Sequence, residues 1–222
     1  MYTLYYSPSA CSLATQVVLH ELGQPVEIID VQQLENFKDI NPVGAVPVLV
    51  DHSLSNTGEG YTDKALTEGA AIILYLLNKH ENTLLPAKGH ARQQGIENMM
   101  FANATMHPSY GRLFFIAQHI SDESTHGQKI RQAAFDTAAE SINYLWQVVE
   151  QKLAIQAKDE KFLGGSFLGG SKPSAADILL AVYSRWGASF PVEITLGPKV
   201  QKMLAAVLAL PSFEKALAAE QG

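Results

Sequence analysis

The sequence predicts a small α/β domain, a polar linker and an all-helical domain, in that order. Strand-forming residues are concentrated in the first third of the chain, where turns with Pro and Gly and one helical segment separate them. Beyond residue 90 the apolar residues recur at helical spacing as far as residue 219. We therefore predict domains at residues 1–79 and 91–222, with residues 80–90 as the linker.

The first domain begins with a strand–helix–strand unit. Residues 2–6 and 26–31 have the composition of strands, and the helix between them, predicted at residues 11–22, is followed by Gly23. Such a unit normally joins parallel strands by a right-handed crossover. Two more strands and a helix complete a mixed four-stranded sheet of the form βαβ-ββα; they are predicted at residues 47–51, 64–66 and 70–78, with a hairpin tip at 53–64.

The second domain is predicted from helical periodicity. Its first helix, at residues 91–120, contains Pro108, which removes a hydrogen bond and should kink the helix. Ser174 and Asp177 have the spacing of a capping box at the start of an apolar helix. The remaining helical segments are predicted at residues 128–156, 199–208 and 212–219.

The composition argues against several function classes. The 222 residues carry a formal net charge of -6, so we expect no nucleic-acid partner. No apolar run approaches the roughly 18 residues of a membrane span, and the first residues lack a signal-peptide pattern. The single cysteine cannot form an internal disulfide, and the histidines lack a metal-ligand spacing. We expect a cytoplasmic protein without a metal site.

Cys11 lies where the first strand turns into the first helix. A thiol at a helix N-terminus is close to unpaired N–H groups and to the positive end of the helix dipole, which favour the thiolate. We therefore expect a reactive thiol at Cys11. The alternative is a small apolar residue buried under the sheet, as free cysteines often are.

Four short motifs follow one another along the chain. They are YYSPSACSL at residues 5–13, NPVGAVPVL at 41–49, LTEGAAI at 66–72, and FLG followed by SAADI within 167–178. With these motifs in this order the chain resembles the cytosolic glutathione transferase superfamily along its whole length, and the first motif together with His107 resembles its bacterial beta class. The resemblance implies a thioredoxin-like first domain, glutathione as a substrate rather than a cofactor, and a homodimer.

The resemblance assigns the sulfur of glutathione to the first motif. It implies that Cys11, with Ala10 beside it, contacts this sulfur and can form a mixed disulfide with it. A hydroxyl group close to the sulfur would stabilise a thiolate through a charge-assisted hydrogen bond, and Tyr6 and Ser12 are the candidates. Both have structural alternatives, because Tyr6 can be a strand aromatic and Ser12 can cap the helix.

The rest of glutathione is assigned to the other motifs of the first domain. In this family the residue before a cis-proline pairs its backbone with the cysteinyl part of glutathione, which implies that role for Val46 and Pro47. Glu68 and Gly69 are implied to bind the γ-glutamyl end, although an acid also simply favours a helix N-terminus. Lys38 is implied to contact the glycyl carboxylate, and a solvated surface lysine is the alternative.

The second substrate is assigned to the helical domain. His107 matches the histidine of the beta class, which implies that it lies over the sulfur and polarises or protonates the bound electrophile. Tyr110, Phe114 and Trp186 are candidates for the apolar wall of the electrophile site. Packing in the helical core is the alternative for each of them.

The resemblance implies a glutathione transferase that conjugates the glutathione thiolate to small apolar electrophiles, as in detoxification. Two alternatives stay open at this point. One is thiol–disulfide exchange through Cys11. The other is a non-catalytic relative that binds an apolar ligand or a protein partner.

Overall fold

The computed structural model describes residues 1–54, 65–156 and 165–220. The contacts within the chain divide it into two compact units. The first unit comprises Met1–Thr83 together with Leu208–Gly222, and the second comprises Leu84–Val207. This division differs from the predicted domains at one place, because the end of the chain, predicted within the helical domain, packs with the α/β unit.

The first unit contains a mixed four-stranded sheet. Its strands are β1 (Tyr2–Tyr6), β2 (Val26–Asp30), β3 (Val48–Asp51) and β4 (Ala65–Leu66), in the order β2-β1-β3-β4. β1 is parallel to β2, and β3 is antiparallel to both β1 and β4. The predicted βαβ-ββα arrangement is confirmed. Most of the predicted hairpin tip, residues 55–64, lies outside the described residues.

Helices account for most of the remaining described residues. In chain order they are α1 (Ser12–Glu21), α2 (Phe37–Ile40), α3 (Gly69–Lys79), α4 (Gly89–Met100), α5 (His107–His119), α6 (Thr125–Gln156), α7 (Ala175–Ser184), α8 (Pro198–Leu208) and α9 (Pro211–Ala219). Of the helices in the described part of the chain, none has both the length and the apolar character that crossing a membrane requires.

Helix α9 belongs to the first unit because it packs against α1. Phe213 and Ala216 of α9 are fully buried, which removes their apolar surface from water. Ser212 adds a polar contact, since its Oγ donates a hydrogen bond to Oε1 of Glu21 over 2.5 Å. The sequence pattern of α9 predicts a helix with one apolar face, but it does not say which element covers that face.

The predicted kink at Pro108 takes the form of a change in helix type. Helix α4 ends at Met100, a π-helical segment follows at Phe101–Met106, and α5 begins at His107. Pro108 has no N–H to bond the preceding turn, and its ring displaces the carbonyl group four residues earlier. A wider π-helical turn relieves both conflicts. His107 therefore lies at the junction between the π-helical segment and α5.

The predicted capping box at the start of α7 is confirmed. The N–H of Asp177 donates to Oγ of Ser174, and the N–H of Ser174 donates to Oδ2 of Asp177 over 2.8 Å. Oδ1 of Asp177 accepts a further hydrogen bond from the N–H of Leu168 at 3.0 Å. The box thus also holds the loop that precedes α7.

A buried carboxylate connects the end of β3 to α3. Asp51 is 1% exposed and accepts hydrogen bonds from Nζ of Lys79 and from the hydroxyl groups of Tyr75 and Ser53. Burial by itself would raise the pKa of Asp51, but these hydrogen bonds outweigh it and hold the pKa well below its usual range. The folded state therefore stabilises the ionised form of Asp51.

We expect Asp51→Asn to lower the free energy of unfolding by about 2 kcal/mol at neutral pH, because Lys79 then lacks its anion. Since the pKa of Asp51 is depressed in the folded state, its contribution is complete above the unfolded pKa of about 4 and is lost as the pH falls below it. Urea unfolding from neutral pH to about pH 3 would show a shrinking difference between wild type and variant. Asp39→Asn, at an exposed position, is the control. A difference that stays constant with pH would contradict this account.

Candidate functional site

The turn between β1 and α1 is closed by hydrogen bonds within the turn itself. The N–H of Ala10 donates to the carbonyl oxygen of Ser7 over 3.1 Å. The Ser12 hydroxyl accepts from the N–H of Ser7 and donates to its carbonyl oxygen, both at 3.3 Å. Ser12 is fully buried and makes no side-chain cap. These bonds support a structural role for Ser12 that differs from the predicted cap, and its catalytic role stays a prediction.

Cys11 faces the loop that precedes β3, and its Sγ donates a hydrogen bond to the carbonyl oxygen of Val46 over 3.3 Å. Burial raises the pKa of Cys11 to about 11, although the N–H groups of Cys11 and Ser12 act in the opposite direction. The carboxylate of Glu68 adds to the rise. This raised pKa argues against the thiolate expected at Cys11 and favours the thiol at neutral pH. A thiol can donate a hydrogen bond.

Tyr6, the last residue of β1, is 7% exposed. Burial raises the pKa of Tyr6, and the negative charges of Asp30 and Glu220 raise it further. The phenol therefore keeps its proton at neutral pH and can act as a hydrogen-bond donor. Its part in stabilising a sulfur anion stays a prediction.

The loop before β3 presents Val46 and Pro47, and the peptide bond between them is cis, as the sequence suggested. Asn41 organises this loop from a buried position: its Nδ2 donates to the carbonyl oxygen of Ala45 at 2.8 Å, and its Oδ1 accepts from the N–H of Val43 at 3.3 Å. Sequence reasoning quoted Asn41 within a motif but gave it no role. Its position directly before a Pro-containing turn was the available signal.

The start of α3 lies against the cis-proline. A Cβ atom at Gly69 would lie 3.5 Å from both Cγ and Cδ of Pro47, which is an ordinary van der Waals distance. Glu68 precedes it with an exposed side chain and a left-handed φ of 66°. The negative charge of Glu68 also raises the pKa of Cys11, so the start of α3 acts electrostatically on the turn between β1 and α1.

Lys38 lies on the short helix α2 and is exposed. Its aliphatic stem runs beside Gly44, since a Cβ atom there would be 3.4 Å from Cε of Lys38. Gly44 belongs to the same loop as Val46. The Lys38 side chain therefore lies beside the loop that leads to Pro47. Its contact with a glycyl carboxylate stays a prediction.

In the second unit, His107 belongs to an aromatic cluster. Its ring stacks on that of Tyr183, with 4.9 Å between ring centroids and 16° between planes, and lies 5.2 Å from that of Trp186. Burial lowers the pKa of His107, so the imidazole is uncharged at neutral pH. Of the two predicted roles, an uncharged ring suits polarisation of the electrophile rather than its protonation.

Trp186 contacts the other two residues predicted to form the wall of the electrophile site, Tyr110 and Phe114. Its ring packs edge-on against those of Tyr110 and Phe114, with centroid distances of 6.0 and 5.7 Å. Phe114 is 38% exposed, whereas Tyr110 is fully buried and its hydroxyl accepts a hydrogen bond from Nε1 of Trp146 at 2.9 Å. Tyr110 therefore supports the cluster from inside and, contrary to the prediction, has no exposed surface for contact with an electrophile.

Two members of this cluster, Tyr183 and Phe190, were not among the predicted site residues. Tyr183 precedes Trp186 by three residues, which is the spacing of neighbours on one helix face. Phe190 lies edge-on to Phe114 at 4.8 Å, in the segment that follows the helix. Among residues 1–54, 65–156 and 165–220, the histidine, cysteine and carboxylate side chains form no group of three that could hold a metal ion.

Each of the comparisons with known proteins includes glutathione S-transferases. The family model described as glutathione S-transferase, N-terminal domain, matches residues 8–79. The chain is 28% identical over 223 residues to glutathione S-transferase GST-4.5 of Xanthomonas campestris pv. campestris, with 98% of each chain covered. Among solved structures it resembles a sphingomonad glutathione S-transferase complexed with glutathione, with 28% identity, a TM-score of 0.72 and coverage of 99% and 98%. A bacterial beta-class enzyme of Sphingomonas chungbukensis matches with 26% identity, a TM-score of 0.71 and 98% of each chain covered.

We expect alkylation of Cys11 by iodoacetamide to be slow at neutral pH and to accelerate with pH up to about 11, because the buried thiol must first lose its proton. The rate can be followed by mass spectrometry, and assignment is direct because the chain has one cysteine. Free glutathione in the same assay is the control. A plateau in the rate near neutral pH would show that a thiolate is already present and would contradict the raised pKa.

Proposed function

We propose that this chain is a glutathione S-transferase, similar to bacterial enzymes that include one of the beta class, and that it conjugates glutathione to small apolar electrophiles. The observation that carries the proposal is the convergence of three segments of the first unit: the Cys11 turn, the cis-Pro47 loop and the start of α3.

Each segment offers groups that suit one part of an extended tripeptide. The backbone of Val46 can pair with the cysteinyl residue as an added strand would. The exposed carboxylate of Glu68 suits the α-amino group of the γ-glutamyl end, and the N–H groups at the start of α3 suit its carboxylate. Lys38, beside Gly44, has the charge needed for the glycyl carboxylate.

In this proposal glutathione supplies the nucleophile. Its sulfur would lie beside Ala10 and Cys11, where the protonated Cys11 thiol can donate a hydrogen bond to a thiolate. The protonated phenol of Tyr6 is a second donor of the same kind. The glutathione thiolate then attacks the electrophilic carbon, a carbon–sulfur bond forms, and the leaving group departs with its electron pair.

The aromatic cluster of the second unit is proposed to receive the electrophile. Phe114 offers an exposed ring that suits apolar and aromatic substrates, and Trp186, which is only 8% exposed, packs edge-on against it from inside the cluster. The uncharged imidazole of His107 can donate a hydrogen bond to a polar group that gains negative charge in the transition state.

The state of Cys11 also decides between conjugation and thiol–disulfide exchange. Exchange requires the attacking sulfur to be a thiolate, and its rate depends on the thiolate fraction. With a pKa of about 11, Cys11 is almost entirely a thiol at neutral pH. The raised pKa of Cys11 therefore supports conjugation over thiol–disulfide exchange.

We expect Glu68→Gln to raise the KM for glutathione about fivefold, because an exposed charge pair with the γ-glutamyl amino group is lost. The value of kcat should change less, since this end of glutathione is remote from the reacting sulfur. The measurement is steady-state conjugation of a chloronitroaromatic with glutathione. Glu81→Gln, exposed in the same unit, is the matched control. Absence of both turnover and glutathione binding in the wild type at millimolar glutathione would refute the proposed function.

We further propose a cytoplasmic homodimer that acts in detoxification. Helices α5 and α6 leave an open apolar groove of about 520 Å³, whose lining includes Phe115, Ile116 and Ala134. Phe115 is 60% exposed, and Ile130 and Tyr144 of α6 are 50% and 65% exposed. On α6 these two residues and Ala134 recur at helical spacing, so they form one apolar stripe. Covering such a stripe with a second copy would remove apolar surface from water.

We expect Phe115→Asp to shift the protein towards monomer, because a desolvated carboxylate in an apolar interface is unfavourable. Sedimentation velocity at micromolar concentrations measures the change. Ala206→Asp, an exposed position on α8, introduces the same group outside the groove and should leave the dimer intact. A wild type that sediments as a monomer would rule out the dimer.

A further inference from the structure

The turn that carries Cys11 is bonded to the far end of the chain. The N–H of Ser9 donates a hydrogen bond to Oε2 of Glu220 over 3.0 Å, although 211 positions separate the two residues. Ser9 has a φ of 62°, the left-handed conformation that residues other than glycine rarely adopt. Such a conformation costs free energy and persists where surrounding contacts hold it. The Glu220 carboxylate is one of those contacts.

The position of Glu220 follows from the packing of α9 against α1. Glu220 is the C-terminal cap of α9, and its N–H bonds back to carbonyl groups of that helix. Buried Phe213 anchors α9, and the hydrogen bond from Ser212 to Glu21 adds a polar contact. The carboxylate thus reaches the Ser9 turn from a helix that is itself docked on the helix following that turn.

The negative charge of Glu220 lies at the C-terminus of α9, where its interaction with the helix dipole is unfavourable. The N–H of Ser9, just before the start of α1, is a donor that offsets this cost. The carboxylate acts on the site electrostatically as well: after burial and Asp30, Glu220 is the third cause of the raised pKa of Tyr6. Contact and charge therefore both link Glu220 to the residues around Cys11.

We propose that Glu220 is a positioning residue, whose carboxylate holds Ser9 in its left-handed conformation and thereby keeps the Cys11 thiol on the Val46 carbonyl group. Loss of the carboxylate would let the turn relax towards ordinary backbone angles, and the half-buried Cys11 side chain would become exposed more often. The kinetic consequence of this role rests on the proposed conjugation, but its effect on Cys11 does not.

The reactivity of Cys11 is a direct readout, because the chain has one cysteine. We expect Glu220→Ala to react with a chromogenic aromatic disulfide about fivefold faster than wild type, the effect of losing one charge-assisted hydrogen bond at an exposed position. Glu220→Gln keeps an acceptor oxygen of the same shape, so its rate should fall between those of wild type and Glu220→Ala. Circular dichroism of each variant confirms that it is folded.

Two matched controls separate positioning from general loosening of α9. Glu214→Gln removes a charge from an exposed position of the same helix, and Ser212→Ala removes the other polar contact between α9 and α1. Both should keep the wild-type rate within about twofold. The proposal is overturned if Glu220→Ala reacts no faster than wild type, or if Ser212→Ala reacts as fast as Glu220→Ala.

Conjugation kinetics provide a second readout. With glutathione and a chloronitroaromatic, Glu220→Ala should lower kcat, while the KM for glutathione changes less, since the ends of glutathione bind elsewhere. Glu220→Gln should restore part of the loss. If wild type shows no conjugation, the proposed function fails, and the rates of Cys11 modification still decide whether Glu220 positions the turn.

Discussion

The hydrogen bond from the Cys11 thiol to the Val46 carbonyl group joins two segments that are 35 residues apart, and the candidate site depends on that contact. It can form because β1 and β3 are neighbours in the sheet, which brings the turn after β1 beside the loop before β3. The start of α3 then closes the same corner, with Gly69 against the ring of Pro47. Sheet order is therefore the physical basis of the site.

Burial outweighs the helix N-terminus in setting the state of Cys11. A helix dipole and its free N–H groups contribute on the order of 1 kcal/mol at a helix end, whereas burying an ionised group without a counter-ion costs several times as much. The negative charge of Glu68 disfavours the thiolate further. In the proposed binding mode the amino group of the γ-glutamyl residue would neutralise this carboxylate, so glutathione binding would also change the acidity of the Cys11 thiol.

Aromatic packing and a proline together position the histidine of the second unit. Pro108 disfavours a regular α-helical turn before it, and a π-helical segment there ends directly before His107, the first residue of α5. The ring then stacks on Tyr183 and contacts Trp186, both in or directly after α7. The π-helical segment before α5 and the aromatic residues in and directly after α7 thus contribute to a single cluster. Phe114 is its exposed member.

The sequence by itself determined the order of strands and helices, the cis-proline candidate and the capping box, because these follow from residue spacing and local backbone preferences. The family motifs named most of the residues that converge at the site. Only the tertiary structure decided that desolvation raises the pKa of Cys11, that Tyr110 lies inside the cluster and that Glu220 reaches Ser9. The reason is physical: desolvation and long-range contact depend on which elements pack together, and periodicity shows that a helix has an apolar face without showing what covers it.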